Sequence, residues 1–63
     1  MKTKIKVFRA IHAMTQAELA EKLGVTRQTI NAIEAGKYAP SVELALKMSK
    51  LFDVTVNEIF QLD

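Results

Sequence analysis

The chain has 63 residues, 49% apolar and 25% charged, with a net charge of +2. That size holds one small domain in a globular rather than disordered balance, and the absence of cysteine excludes disulfides and thiolate metal sites. No apolar run approaches the roughly 20 residues of a membrane span, and Arg9 and His12 interrupt the apolar stretch that a secretion signal needs. The expectation is one domain over residues 1–63, soluble and cytoplasmic, held together by compact local packing.

The spacing of Ile5, Phe8 and His12 predicts a first helix from about Thr3 to His12. Lys4-Ile5-Lys6-Val7 also alternates like a strand, but no later segment reads as its partner, so the helix is preferred. The second helix has the clearest start. Thr15 and Glu18 fit a capping box, in which each side chain satisfies a free backbone N–H of the other residue. Leu19, Ala20 and Leu23 supply its buried face, and Gly24 ends it where a positive φ is suited. Thr26 caps the third helix, Ile30 and Ile33 point inward, and Gly36 ends it. Tyr38-Ala39-Pro40 forms the one real loop, because Pro40 keeps Ala39 out of helical conformation.

Ser41 caps a fourth helix whose apolar residues, Val42, Leu44, Ala45, Leu46, Met48, Leu51 and Phe52, nearly surround it. Such a helix is expected at the centre, packed on several sides. Asp53 follows where a left-handed residue is wanted. Thr55 and Glu58 form a second capping box and open a last helix containing Ile59, Phe60 and Leu62. The fold class expected is all-α: a compact five-helix bundle.

Residues 16–35 carry the functional information. Two helices are joined by a turn so short that their axes must cross steeply. Ala20 is small where the helices meet, Gly24 takes the turn conformation, Val25 plugs the turn into the core, and Ile30 and Ile33 pin the third helix from beneath. This is a helix-turn-helix, which sets its second helix into the DNA major groove. Charge is distributed accordingly: residues 1–37 carry a balance of +4 and residues 38–63 one of −2. A basic end matches a polyanionic partner.

The stretches Thr15-Gln16-Ala17-Glu18-Leu19-Ala20, Gly24-Val25-Thr26-Arg27-Gln28-Thr29-Ile30 and Ile33-Glu34-Ala35-Gly36-Lys37 resemble the Cro and phage-repressor, or Xre-type, helix-turn-helix domains. The likeness extends through Pro40-Ser41 to Val54-Thr55-Val56-Asn57-Glu58-Ile59-Phe60, and so covers nearly the whole chain. It implies a lambda-repressor-like fold and a transcriptional regulator, a repressor in the usual case, that binds a palindromic operator in double-stranded DNA as a homodimer.

With Ile30 and Ile33 buried, the opposite face of the third helix presents Arg27, Gln28, Asn31 and Ala32 to base edges. Arg reads guanine, and Gln or Asn reads adenine, through paired hydrogen bonds; Ala32 offers a methyl contact. Gln16 opens the second helix, where similar proteins hold a phosphate at the positive end of the helix dipole. Thr26, Thr29, Lys37 and Tyr38 are expected phosphate clamps beside the reading helix. Lys2, Lys4 and Lys6 are read as a solvated tail. The resemblance also implies an internal ion pair between Arg9 and Glu34, which removes Arg9 from the DNA ligands.

Ala13 departs from the family by standing where Gly or Asn often ends the first helix, so that turn is expected to be strained. Val7 and Ile11, one helical turn apart, replace residues that are usually charged. With Phe60 and Leu62 they are candidates for a dimer or protein-partner surface. A protein-interaction module, such as an antitoxin or adaptor, is therefore the second reading.

Catalysis has little to stand on. A nucleophile needs a base within reach, but the single histidine, His12, is expected on the core side of the first helix. Glu18 and Glu21, three apart on a helix surface, have no evident pocket. Metal ligands are too few, and no cofactor is implied.

Overall fold

The computed structural model describes all of the chain, Met1–Asp63, at principal extents of 27 × 22 × 20 Å. Its elements run β1 (Lys2–Thr3), α1 (Ile5–Ile11), α2 (Gln16–Leu23), α3 (Arg27–Glu34), α4 (Val42–Phe52), α5 (Val56–Ile59) and β2 (Phe60–Gln61). Ile5, Leu19, Ile30, Ile33, Met48 and Ile59 are fully buried at its centre. Each of α1, α2, α3, α4 and α5 thus contributes at least one side chain to a single core.

Capping chemistry sets the helix starts. The hydroxyls of Thr15, Thr26, Ser41 and Thr55 each accept the backbone N–H three residues on, from Glu18, Thr29, Leu44 and Glu58. Both expected capping boxes, Thr15–Glu18 and Thr55–Glu58, are complete. Each satisfies amide donors that the first helical turn leaves free.

One geometry ends α1 to α4. At each end a residue with positive φ, namely Ala13, Gly24, Gly36 or Asp53, donates its N–H three residues back. The next residue donates five residues back: Met14 to Arg9, Val25 to Ala20, Lys37 to Ala32 and Val54 to Ser49. This pairing is the Schellman motif, which uses a left-handed residue to satisfy the last carbonyls. Met14, Val25 and Val54 then turn back onto the core, as an apolar residue at that position does. Lys37, at the end of α3, is exposed instead.

The all-α expectation is corrected at the two ends of the chain. Lys2–Thr3 and Phe60–Gln61 pair antiparallel, with Lys2 opposite Gln61 and Thr3 opposite Phe60. The Lys4 N–H extends the ladder to the Ile59 carbonyl at 2.8 Å. The first helix therefore starts at Ile5 rather than Thr3, and the last stops at Ile59, so Phe60 and Leu62 are not helical. Lys2 belongs to the sheet rather than to a free tail. Strands of two residues carry no readable periodicity, and pairing across the whole chain is settled only when both ends meet on the core.

The position of α4 is corrected as well. Leu44, Ala45, Met48 and Phe52 are buried, but Val42 and Leu46 are 78% and 57% exposed. In so short a chain no element is left to cover the outer side of α4. His12 is an exposed residue whose ring lies against Phe52, with centroids 5.4 Å apart, while Phe8 stacks on Phe52 at 5.6 Å.

Candidate nucleic-acid interface

The reading helix is fixed from behind. Ile30 and Ile33 of α3 are fully buried, against the buried Leu19, Ala20 and Leu23 of α2. Losing a buried Ile side chain typically costs about 2–5 kcal/mol, so this seat holds α3 firmly. The same helical period turns Arg27, Gln28 and Asn31 to solvent, where they line one open concavity of about 230 Å³. No apolar residue contributes to its lining. Arg27 offers a planar fork of donors, and the Gln28 and Asn31 amides each offer a donor and an acceptor in one plane. None of the three side chains makes an intramolecular hydrogen bond, so their polar atoms are available to a ligand. Ala32 is half-buried and lies outside the concavity.

The candidate phosphate ligands divide into two groups. Lys37 and Tyr38 are exposed in the loop after α3. Thr26 and Thr29 hold each other at the start of α3, with their hydroxyl oxygens 3.0 Å apart and the Thr29 N–H bonded to the Thr26 oxygen at 3.2 Å. A phosphate there would meet hydroxyls that already have partners, one of which also caps the helix.

Gln16 is engaged elsewhere. Its side-chain amide donates to the Glu34 carboxylate at 3.2 Å. Glu34 also receives Arg9 through Nε at 2.7 Å and Nη2 at 3.1 Å, and the remaining Arg9 nitrogen donates to the Met14 carbonyl at 3.0 Å. This network ties the end of α1, the start of α2 and the end of α3 together. The participation of Gln16 and of the Met14 carbonyl was not legible in the sequence. An amide at a helix start reads equally well as a solvent-facing or phosphate-facing group.

The four residues expected at an association surface differ in exposure. Val7 and Ile11 are 54% and 68% exposed on the side of α1 away from Ile5 and Phe8. Leu62 is 91% exposed beyond β2. Phe60 is half-buried against the core within β2. No helix is long and apolar enough to cross a membrane, and no cluster of three or more His, Cys, Asp or Glu is placed to hold a metal.

The helix-turn-helix family model matches residues 5–59 of the chain. The chain is 58% identical over 60 residues to MJ0272, an uncharacterized HTH-type transcriptional regulator of Methanocaldococcus jannaschii, covering 95% of this chain and 91% of that one. It is 48% identical over 63 residues to YgzD, an uncharacterized HTH-type transcriptional regulator of Bacillus subtilis, covering 100% and 96%. A crystal structure of the hypothetical transcription factor NHTF from Neisseria superposes with a TM-score of 0.74 at 25% identity, over 82% of this chain and 58% of that one. With capped helices, a left-handed glycine turn and a polar reading face in place, the chain belongs to the Xre/Cro-type helix-turn-helix family of DNA-binding domains.

Proposed function

We propose that this protein regulates transcription by binding specific duplex DNA, with α3 in the major groove, and acts as a repressor by occupying an operator. The observation that carries the reading is the open face of Arg27, Gln28 and Asn31, polar throughout and seated on a rigid apolar floor. Arg27 reads guanine, while Gln28 and Asn31 read adenine. Lys37 and Tyr38, beside that face, grip phosphate and set the register. One such helix makes too few base contacts for tight specific binding. A symmetric homodimer on a palindrome, with half-sites about 34 Å apart, doubles them. The names of the relatives as transcriptional regulators support this reading.

The test is selection from a randomised duplex pool, followed by binding of the enriched sites at several salt concentrations. The expected result is an inverted repeat with a steep salt slope. In that site Gln28→Ala should cost about 1–3 kcal/mol at one base position. Equal loss on all sequences would remove Gln28 from base reading, and no binding at low salt would overturn the whole proposal.

A second reading rests on the exposure of Val7 and Ile11: the fold acts as a protein-interaction module, such as an antitoxin or adaptor. Under the first reading the same pair forms the homodimer contact. The double variant Val7→Ser/Ile11→Ser, measured by sedimentation, separates these roles from a neutral surface. A variant that self-associates and binds partners unchanged would exclude both.

A further inference from the structure

The chain has nine Lys and Arg residues, and three of them gather at a place the DNA reading does not use. Lys22 in the last turn of α2, with Lys47 and Lys50 of α4, lines a groove of about 370 Å³ floored by Leu23 and Leu51. It shares no residue with the concavity of Arg27, Gln28 and Asn31. Lys47 shares its charge with Glu43 across 3.3 Å, a pair exposed to water on both sides, whereas Lys22 and Lys50 make no ion pair. A floor of leucine under a rim of ammonium groups presents two chemistries at once.

We propose that this groove between α2 and α4 docks an acidic peptide segment of a protein partner, with carboxylates on the lysines and one apolar side chain between Leu23 and Leu51. Charge complementarity selects an anionic partner and raises its association rate. The apolar floor selects among anions. Burying an aliphatic side chain there removes apolar surface from water, a gain that a nucleic-acid phosphate does not receive. The flexible lysine stems also lay their methylene groups along such a side chain while their heads stay solvated. The groove is separate from the base-reading face but borders the proposed phosphate-contacting side, because Leu23 and Lys47 also line the adjoining hollow with Thr29 and Tyr38.

The test titrates three ligands into the isotope-labelled protein: a glutamate-rich peptide with one central leucine, the same peptide with alanine there, and a short duplex DNA. Amide shifts are expected at Lys22, Leu23, Lys47, Lys50 and Leu51 with the leucine peptide, and the alanine peptide should bind more weakly. The double variant Lys22→Glu/Lys50→Glu, checked for an unchanged helical circular dichroism spectrum, should weaken the leucine peptide about tenfold. Shifts centred on Arg27, Gln28 and Asn31, binding indifferent to the leucine, or displacement of the peptide from the groove by duplex DNA would each overturn the proposal.

Discussion

Arg9 and Glu34, 25 positions apart, meet through two parallel hydrogen bonds of 2.7 and 3.1 Å, with side chains only 14% and 11% exposed. Because Gln16 and the Met14 carbonyl join them, this pair fastens three helices at the edge of the reading surface. Its charges cancel inside the domain, so Glu34 presents little net repulsion to a phosphate backbone.

Removing one member of the pair strands the other. Glu34→Ala leaves a largely buried guanidinium without its counter-charge, and the loss should reach about 2–4 kcal/mol, between the values for exposed and buried pairs. The double variant Arg9→Met/Glu34→Leu should recover much of it, because neither charge is then stranded. Urea unfolding of the parent and the two variants measures both effects, and a double variant no more stable than Glu34→Ala would refute the coupling.

Two glycines with nearly the same backbone should respond differently to alanine. Gly24 has φ +73° and open space where a Cβ would stand, so Gly24→Ala carries only the left-handed penalty of about 1–2 kcal/mol. Gly36 has φ +74°, and its added Cβ would lie 2.9 Å from the Met1 carbonyl oxygen. Gly36→Ala should therefore cost more and also loosen the β1–β2 pairing. Thermal melts give the order, and faster amide exchange at Lys4 reports the sheet.

The reverse change should help at Ala13, where φ is +55° in an otherwise regular helix end. Ala13→Gly relieves the left-handed strain but adds freedom to the unfolded chain, for a net gain of about 0.5–1 kcal/mol. The melting temperature should rise; a fall would mean that the Ala13 methyl makes a contact worth more than the strain.

Acid should weaken the start of α2. The Thr15 backbone N–H, then the Thr15 hydroxyl, hold the Glu18 carboxyl below its ordinary value, with a smaller contribution from Lys22. A carboxylate lowered on folding stabilises the protein above its unfolded value, and that contribution is lost as pH falls through the folded one. Glu18→Gln should therefore be less stable than the parent at neutral pH, with the gap closing on acidification. A gap that stays constant with pH would disprove the linkage.

Local chemistry determined much of this protein from the sequence alone. Thr15, Thr26, Ser41 and Thr55 cap helices through bonds that span three residues, and Gly24 and Asp53 mark helix ends through their own backbone preference. Such interactions are complete within a turn of chain, so residue types in order are enough to read them. The polar face of α3 follows from the same short range, once Ile30 and Ile33 are taken as buried.

What tertiary structure alone decided lies between distant segments. The pairing of Thr3 with Phe60, the turning of Gln16 onto Glu34, the exposure of Val42 and Leu46, and the gathering of Lys22 with Lys47 and Lys50 all depend on which surfaces the packed helices leave beside one another. No local pattern encodes them, because each is settled by where the core ends and water begins.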